Sequence, residues 1–474
     1  MEAFGKEVAV LTLLHDSSLR SCDGIARRDF LRAGTLAMGG LSLPWLLKNQ
    51  ALAGAKSDYV KDRSVVLLFL SGGASHIETF NPNMDAPAPY HSVTGEVMTT
   101  IPGVTFGGTF PLLSRHAKHM AIVRSFKHSI SGHVQAIKHV LNGGTDPDGK
   151  GNRGFSMGAA SARFRGANDA KTGMPTFTLL NSDEVDPQYR SEKGRVERGS
   201  HPGSMGPAFS PFNPGAGGVS QQNMTLKIAR ERLDDRRGLL SAVDRLQRQT
   251  EDSGLLDGTD KYRSQAFDLI LGNAVKAFDL SKEPRKLVES YDTSMFRVGK
   301  KRFRDSVLGH HFLTARRLLE VGCRFVTIHS AGWDMHADGN NPGIGAGMEM
   351  LGRPVDKAVS AFVEDLQQRG MLDKTLLIIT GDFGRTPKIN DRGGRDHWPG
   401  LCTLAFAGGG MSGQVIGRSA RKNDVPANDP IDAARLLATV MHSMFDVGKL
   451  RLAGGIPKEL LRVIENDEPI HEFV

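Results

Sequence analysis

The chain has 474 residues, of which 39% are hydrophobic and 24% charged, which is ordinary usage for a globular protein and excludes a disordered or fibrous one. The net charge is +8, but Lys and Arg are scattered, so no basic stripe indicates a nucleic-acid-binding protein. Three cysteines exclude a disulfide scaffold, and Cys323 and Cys402, which adjoin apolar runs, are expected to be buried free thiols.

Residues 1–55 have the layout of a twin-arginine export signal. Arg27–Arg28 precedes an apolar stretch from 33 to 47, and Ala51–Leu52–Ala53 offers a cleavage site between small residues. Pro44 interrupts the stretch, which is shorter than the roughly 20 apolar residues that span a bilayer. We therefore expect export to the periplasm or cell surface, with no membrane span once the signal is removed. An uncleaved anchor is the alternative.

Residues 56–474 are expected to form a single α/β domain, because strand-like apolar runs alternate with helical patterns. In chain order, the predicted strands are 64–70, 121–126, 324–330, 375–380 and 402–407. The predicted helices are 226–249, 262–280, 306–320, 354–369 with Gly370 as its stop, and a last helix opened by Pro430 after an Asp429 cap.

The overall prediction is a doubly wound α/β sheet with helices on both faces and a helical section around 225–321. The Gly-, Pro-, Asn- and Ser-rich part of the chain around 142–222 is interpreted as long loop insertions or lids.

Polar residues follow four of the predicted strands, in segments 71–81, 127–133, 332–336 and 381–397. Because parallel strands bring their carboxyl ends to one edge of a sheet, we expect these segments to meet in a ligand crevice. Asp and His bind divalent cations such as Zn, Mn, Mg or Ca. Each His alone is more readily explained as a structural residue. As a set, two Asp and two His predict a metal site: Asp334, His336, Asp382 and His397.

Two catalytic motifs occur in the wrong context and are set aside. Gly154–Gly158 matches the GxSxG nucleophile elbow, but no strand precedes it. Gly144–Lys150 nearly matches a phosphate-binding loop, but Gly151 stands where Ser or Thr is needed, and a strand is again missing. His310–His311 lies in a helical pattern and is interpreted as helix surface.

Several motifs together resemble a bacterial family known as domain of unknown function 1501. They are the twin-arginine start, GPAFSPF at 206–212, the run 315–336, the run 365–390 and GRDHWP at 394–399. The resemblance covers nearly all of the mature chain. That family belongs to the alkaline-phosphatase-like superfamily, which includes sulfatases and phosphonoacetate hydrolases. The resemblance implies a doubly wound α/β fold with a metal site at the strand ends.

The resemblance also implies roles for individual residues. Positions that look like the superfamily's metal ligands are Asp334, His336, Asp382, His397 and, after the first strand, Glu78. Phe383 replaces the superfamily's His in TGDFG (380–384), which argues against a two-metal site. The nucleophile is implied at the helix start after the second strand, where the candidates beside His128 and His133 are Ser129 and Ser131. The sulfatase signature, Cys or Ser followed by x-Pro-x-Arg, is absent, so a formylglycine sulfatase is not expected.

The leading hypothesis is an exported, metal-dependent hydrolase of phosphate or sulfate esters of small molecules or glycans. Ser131 or a metal-bound water would attack, and Arg385 and Arg395 would stabilise the oxygens of the transferred group. His128 and Asp396 are candidate substrate-binding residues. A catalytically degenerate cell-surface binding protein is the alternative, and a phospho-serine mutase or isomerase is the third hypothesis.

Overall fold

The structure is a computed structural model that describes residues 58–151, 154–181, 189–214, 273–452, 456–466 and 468–470, and the short antiparallel strand pair Leu11–Thr12 and Arg32–Ala33. The chain divides into two compact units, Met1–Asp58 and Tyr59–Val474. Apart from that strand pair, the predicted export signal lies outside the described residues, as do the predicted helix 226–249 and residues 262–272 of the next one. No helix within the described ranges has the length and apolar character needed to cross a bilayer.

Seven strands of the second unit form the central sheet. They are β1 (Ser64–Leu70), β2 (Met120–Val123), β3 (Phe177–Leu180), β4 (Phe325–Ser330), β5 (Thr375–Gly381), β6 (Leu404–Gly408) and β7 (Gln414–Ile416). Their order across the sheet is β7-β2-β6-β5-β1-β4-β3. Within this sheet, β6 runs antiparallel to both neighbours, and every other pairing is parallel. The carboxyl ends of β1, β2, β4 and β5 therefore share one edge.

Helices cover both faces of the sheet, as predicted. They are α1 (His76–Thr79), α2 (His133–Leu141), α3 (Met157–Arg165), α4 (Arg190–Gly199), α5 (Arg285–Tyr291), α6 (Leu308–Glu320), α7 (Ile344–Gln368), α8 (Ala433–Met444), α9 (Val447–Leu452) and α10 (Lys458–Asn466). One hydrophobic core joins the sheet to α6 and α7, and a second joins it to α2, α3, α8 and α10.

The apolar run of β1 shows why the strand has no polar face. Val66, Leu68 and Leu70 pack in the first core, and the alternating residues 65, 67 and 69 pack in the second. A strand covered on both faces is hydrophobic at every position, whereas a half-exposed strand alternates. Ser330 and Gly381 both pair with Leu70, so β4, β1 and β5 end at the same level.

Two predicted helix starts differ from the structure. Helix α7 begins at Ile344, so Pro354 lies inside the helix instead of opening it. Helix α8 is capped by Asp432, whose side chain accepts a hydrogen bond from the backbone N–H of Arg435 at 3.0 Å, whereas Asp429 lies outside the helix with φ of +38°. The predicted stop at Gly370, with φ of +66°, is confirmed.

The Gly-rich part of the chain interpreted as insertions contains regular structure. Ser156, from the GxSxG match, is the buried cap of α3 and accepts a hydrogen bond from the backbone N–H of Ala159. Strand β3 follows α3 and forms the edge of the central sheet beside β4. Cys323 and Cys402 are buried and free, as predicted.

Candidate functional site

The carboxyl edge of the sheet brings together Asp334 and three histidines. Asp334 and His336 lie in the segment that follows β4, and His133 is the first residue of α2 after β2. His397 precedes β6, and because β6 is antiparallel, the chain enters it from this same edge. A two-residue strand pair, 384–385 with 397–398, places His397 opposite Arg385. Segment 71–81 reaches the same edge through Gly72, whose backbone N–H donates to Asp382, so the four polar segments meet as predicted.

Each of these three histidines directs its Nε2 atom at the carboxylate of Asp334. The separations from the Asp334 oxygens are 3.4 Å for His133, 2.9 Å for His336 and 3.3 Å for His397. His133, Asp334 and His397 each offer one ligand atom, and these three atoms lie within 4.8 Å of one another. We call Asp334 and these three histidines the Asp334 cluster.

The opposite ring nitrogen of each histidine is held by an oxygen atom. Nδ1 lies 2.6 Å from Asp382 Oδ2 in His133, 2.9 Å from Asp396 Oδ1 in His336, and 2.8 Å from the Ser131 carbonyl in His397. Such outer contacts fix the ring orientation of metal-binding histidines in proteins. The three imidazoles are therefore held with their Nε2 atoms towards the Asp334 carboxylate.

Asp382, predicted from the sequence as a metal ligand, lies behind His133 in the structure. It is fully buried, and its second oxygen accepts a hydrogen bond from the backbone N–H of Gly72 at 3.0 Å. His133, which the sequence placed beside the nucleophile, occupies the inner position instead. The exchange arises because α2 begins at His133 and carries its ring between the two carboxylates.

Arg385 places a buried positive charge against the cluster. Its Nη2 lies 2.5 Å from Asp334 Oδ1, and the guanidinium also donates to the carbonyls of Gly72, Gly73 and Arg395. Gly72 has φ of +108°, and a Cβ there would lie 2.6 Å from the backbone nitrogen of Asp334. The tight turn after β1 thus requires glycine, and it positions both Arg385 and Asp382.

Phe383, which follows the buried Asp382, fills the space beside two of the histidines. Its ring is fully buried, with its centroid 4.8 Å from that of His133 and 4.4 Å from that of His397. An apolar ring at this position supports the imidazoles by packing and offers no further ligand atom.

The charges in the cluster shift the pKa values of its members. Burial alone would lower the pKa of His133, but its hydrogen bonds to Asp334 and Asp382 raise it to about 9. The hydrogen bond to Asp334 likewise raises the pKa of His336. Burial opposes ionisation of Asp334, yet its hydrogen bonds to the three histidines hold its pKa far below the usual range. The cluster thus combines an ionised carboxylate with protons that a cation would displace.

Two residues predicted for the site, Glu78 and Arg395, form an ion pair with each other instead. The Glu78 carboxylate, predicted as a metal ligand, accepts hydrogen bonds from Arg395 at 3.0 Å, Ser92 at 2.5 Å and Thr94 at 3.0 Å, and is fully buried. Arg395, predicted to contact substrate, also donates to the carbonyl of His91. Both side chains are used to hold the 91–94 segment against the loop after β5.

His128 and the two serines take different positions around the site. The ring nitrogens of His128 contact the Asp382 carbonyl at 2.7 Å and the Ile130 N–H at 3.1 Å, and burial lowers its pKa to about 4. It is thus a neutral support for the backbone and not the predicted substrate contact. Ser129 and Ser131 are exposed in the loop before α2. Asp396, another predicted substrate contact, orients His336 and is 56% exposed.

The sequence profile of the family described as "Protein of unknown function (DUF1501)" matches residues 62–472. This chain belongs to that family. The DUF1501 resemblance seen in the sequence is thereby confirmed. No curated protein matches the sequence.

Solved structures similar to this DUF1501 chain have low sequence identity to it. One is Ps i-CgsB, at 12% identity over 86% of this chain and 78% of the other, with a TM-score of 0.40. A second is the PsFucS1 sulfatase from Pseudoalteromonas sp., at 14% identity over 84% and 70% of the two chains, with a TM-score of 0.35. A third is the lipoteichoic acid synthase LtaP from Listeria monocytogenes, at 10% identity over 90% and 79%, with a TM-score of 0.35.

Proposed function

We propose that this protein is a metal-dependent hydrolase of phosphate or sulfate esters of small molecules or glycans, exported by the twin-arginine route to the periplasm or cell surface. The observation that carries the proposal is the convergence of three histidine Nε2 atoms on the Asp334 carboxylate. Together with the family resemblance, it favours hydrolysis over the other reactions considered from the sequence.

The donor set of the Asp334 cluster fits a divalent transition-metal cation. Imidazole nitrogens with one carboxylate are typical ligands of zinc and its neighbours, whereas calcium and magnesium prefer oxygen ligands alone. Asp334, His133 and His397 would hold the ion, and His336 lies beside them with its Nε2 atom 2.9 Å from Asp334 Oδ1. A cation bound there would supply Lewis acidity towards an ester oxygen and lower the pKa of a coordinated hydroxyl or water.

The chain's own residues complete an environment suited to an anionic ester. Three backbone carbonyls hold the guanidinium of Arg385 beside the cluster. The amino terminus of α2 begins at His133, and the partial positive charge of a helix start favours phosphate or sulfate oxygens. Ser131 is the proposed nucleophile, with Ser129 as the second choice, because both are exposed where the loop enters this helix.

A binding protein without catalysis is the second candidate. It is favoured by the ion pair between Arg385 and Asp334, which neutralises the carboxylate without a cation. The phospho-serine mutase hypothesis requires a phosphorylated serine, which mass spectrometry of the intact protein would detect.

The test is hydrolysis of 4-nitrophenyl phosphate and 4-nitrophenyl sulfate by the purified mature protein, with and without a chelator. We expect turnover of at least one ester, its loss after chelation, and its recovery on addition of Zn²⁺. Turnover that resists removal of all metal contradicts the metal role. If the folded protein is isolated without metal and turns over neither ester after Zn²⁺ is added, the binding-protein hypothesis is favoured.

The pKa of His133 predicts how Zn²⁺ affinity depends on pH. Because the metal-free pKa is raised to about 9, below that pH the cation must displace a proton from the ring. We expect apparent Zn²⁺ affinity, measured against a chromophoric chelator, to rise about tenfold per pH unit from pH 6.5 and to level off near pH 9. Asp382→Asn removes a hydrogen bond that retains the proton, so affinity should level off at a lower pH, and its plateau should lie about 10–100-fold lower. An unchanged levelling-off pH in the variant would contradict this assignment.

A further inference from the structure

A buried carboxylate on α4 contacts two of the loops that carry the candidate site. Glu192 is 5% exposed, and its Oε2 accepts a hydrogen bond from the backbone N–H of Gly332 at 2.9 Å. The same oxygen lies 3.0 Å from Ser71 Oγ. Gly332 stands two residues before Asp334, and Ser71 directly precedes Gly72. Glu192 therefore joins the loop after β4 to the loop after β1.

The two loops that Glu192 joins also contact each other close to the Asp334 cluster. The backbone N–H of Trp333 donates to the Ser71 carbonyl at 3.0 Å. Gly332 has φ of +94°, and a Cβ there would lie 2.6 Å from the ring of Tyr189, which directly precedes α4. Since Asp334 follows Trp333 in the chain, a shift of either loop displaces its carboxylate.

Ser71 connects Glu192 to a histidine at the end of β4. His329 Nε2 lies 2.6 Å from Ser71 Oγ, and its Nδ1 lies 2.8 Å from Asn181 Oδ1. Asn181 Nδ2 donates to two oxygen atoms of α4, so Asn181 Oδ1 is the atom that accepts from His329 Nδ1–H. We call Asn181, His329, Ser71 and Glu192 the Glu192 network.

The hydrogen bonds of the Glu192 network require one additional proton. The contact between Asn181 and His329 uses the proton on Nδ1. The contacts of Ser71 with His329 and with Glu192 need two more, and the Ser71 hydroxyl supplies one of them. An ionised carboxylate and a neutral imidazole cannot supply the other. Burial raises the pKa of Glu192 and lowers that of His329 to about 3, which favours a protonated carboxyl.

The surroundings of the network agree with that protonation state. Among the described residues, the charged and titratable groups that face it are Lys193 and Glu197 on α4, Lys300 before α6, His311 on α6 and Asp382 after β5. His311, interpreted from the sequence as helix surface, thus lines a cavity beside His329. Lys300 Nζ lies 4.0 Å from Glu192 Oε1 and favours the ionised form, but burial outweighs it, and Asp382 acts with burial.

We propose that Glu192 is a positioning residue of the candidate site, which in its protonated form links the loops after β1 and β4 and thereby holds Asp334 against the three histidines of the Asp334 cluster. The effect on metal rests on the proposed function, whereas the link between the loops does not. Removing an outer contact of a metal site typically lowers metal affinity by about 10–100-fold. Glu192 acts through the backbone at Gly332, so the lower end of that range is expected.

The test compares Glu192→Leu with Glu192→Gln in the folded mature protein. Leu removes every polar contact, so Zn²⁺ affinity, measured against a chromophoric chelator near neutral pH, should fall about tenfold. Gln offers a donor and an acceptor, as a protonated carboxyl does, so its Zn²⁺ affinity should stay within about twofold of the parent value. The matched controls are Glu349→Leu and Glu349→Gln, at an exposed residue that pairs with Arg353 one helical turn away. Both should bind Zn²⁺ like the parent protein.

Amide hydrogen exchange of the metal-free proteins tests the link between the loops without any cation. In Glu192→Leu the Gly332 amide loses its acceptor, so its exchange, resolved from overlapping peptides by mass spectrometry, should be about tenfold faster. Glu192→Gln and both Glu349 variants should exchange like the parent protein. If the parent protein does not bind Zn²⁺ but this exchange pattern is found, the proposed function alone is contradicted.

Two results would overturn the proposal. One is unchanged exchange of the Gly332 amide in Glu192→Leu, or unchanged Zn²⁺ affinity of that variant when the parent protein binds the ion. The other is a loss in Glu192→Gln as large as that expected for Glu192→Leu, because a neutral side chain of the same shape would then fail to replace the carboxyl. Glu192→Gln keeps the test decisive if Glu192→Leu does not fold.

Discussion

Replacing Asp334 by Asn should remove bound metal and lower kcat/KM for the best aryl ester by at least about 1,000-fold, since a cation stabilises transition-state charge by several kcal/mol. Asp334 is the common partner of all three histidines in the cluster and of Arg385. Asn keeps the shape of the side chain and removes its charge. Metal content by inductively coupled plasma mass spectrometry and steady-state kinetics check the two parts of the prediction.

The matched control for this variant is Asp391→Asn, an exposed residue in the loop between β5 and β6. It should retain full metal content and activity. His397→Ala is a second variant, because it removes a candidate ligand and leaves the ion pair between Arg385 and Asp334 in place. Retention of stoichiometric metal in both Asp334→Asn and His397→Ala would disprove the proposed site.

Replacing Arg316 by Met should lower the free energy of unfolding by about 3 kcal/mol, the lower end of what removal of one partner from a buried ion pair costs. Arg316 is 1% exposed and lies 2.8 Å from Glu283, 2.8 Å from Glu320 and 3.0 Å from Asp365. It thereby connects α6 to α7 and to the segment before α5. Arg369 still contacts Asp365 at 2.7 Å, so the loss should be partial.

Urea unfolding of Arg316→Met should be compared with that of Arg285→Met. The Arg285 side chain is 93% exposed and pairs with Glu289 one helical turn away, so its loss should change stability by no more than about 0.5 kcal/mol. Equal effects of the two substitutions would show that burial does not determine the contribution of these ion pairs.

The candidate site could be predicted only in part, and particular residues show why. Asp334, His336 and His397 were identified because polar residues that follow buried strands collect at one edge of a sheet. Glu78 and Arg395 satisfied the same rule, but they pair with each other. His133 and Asp382 were both selected with their roles exchanged, since which of two adjacent groups faces the centre depends on where α2 begins. No local sequence pattern predicts which of these side chains pair with each other.

By itself, the sequence determined the α/β class, the apolar strands β1 and β5 and the four segments that carry the candidate site, because hydrophobic periodicity and strand-end chemistry are local properties of the chain. The family followed from the resemblance of its motifs. Only the tertiary structure decided that β6 runs antiparallel and so brings His397 to Asp334. It likewise decided that Arg385 is buried against that carboxylate and that His311 faces a cavity. These outcomes depend on contacts between residues far apart in the chain, where burial and hydrogen-bond satisfaction outweigh local preference.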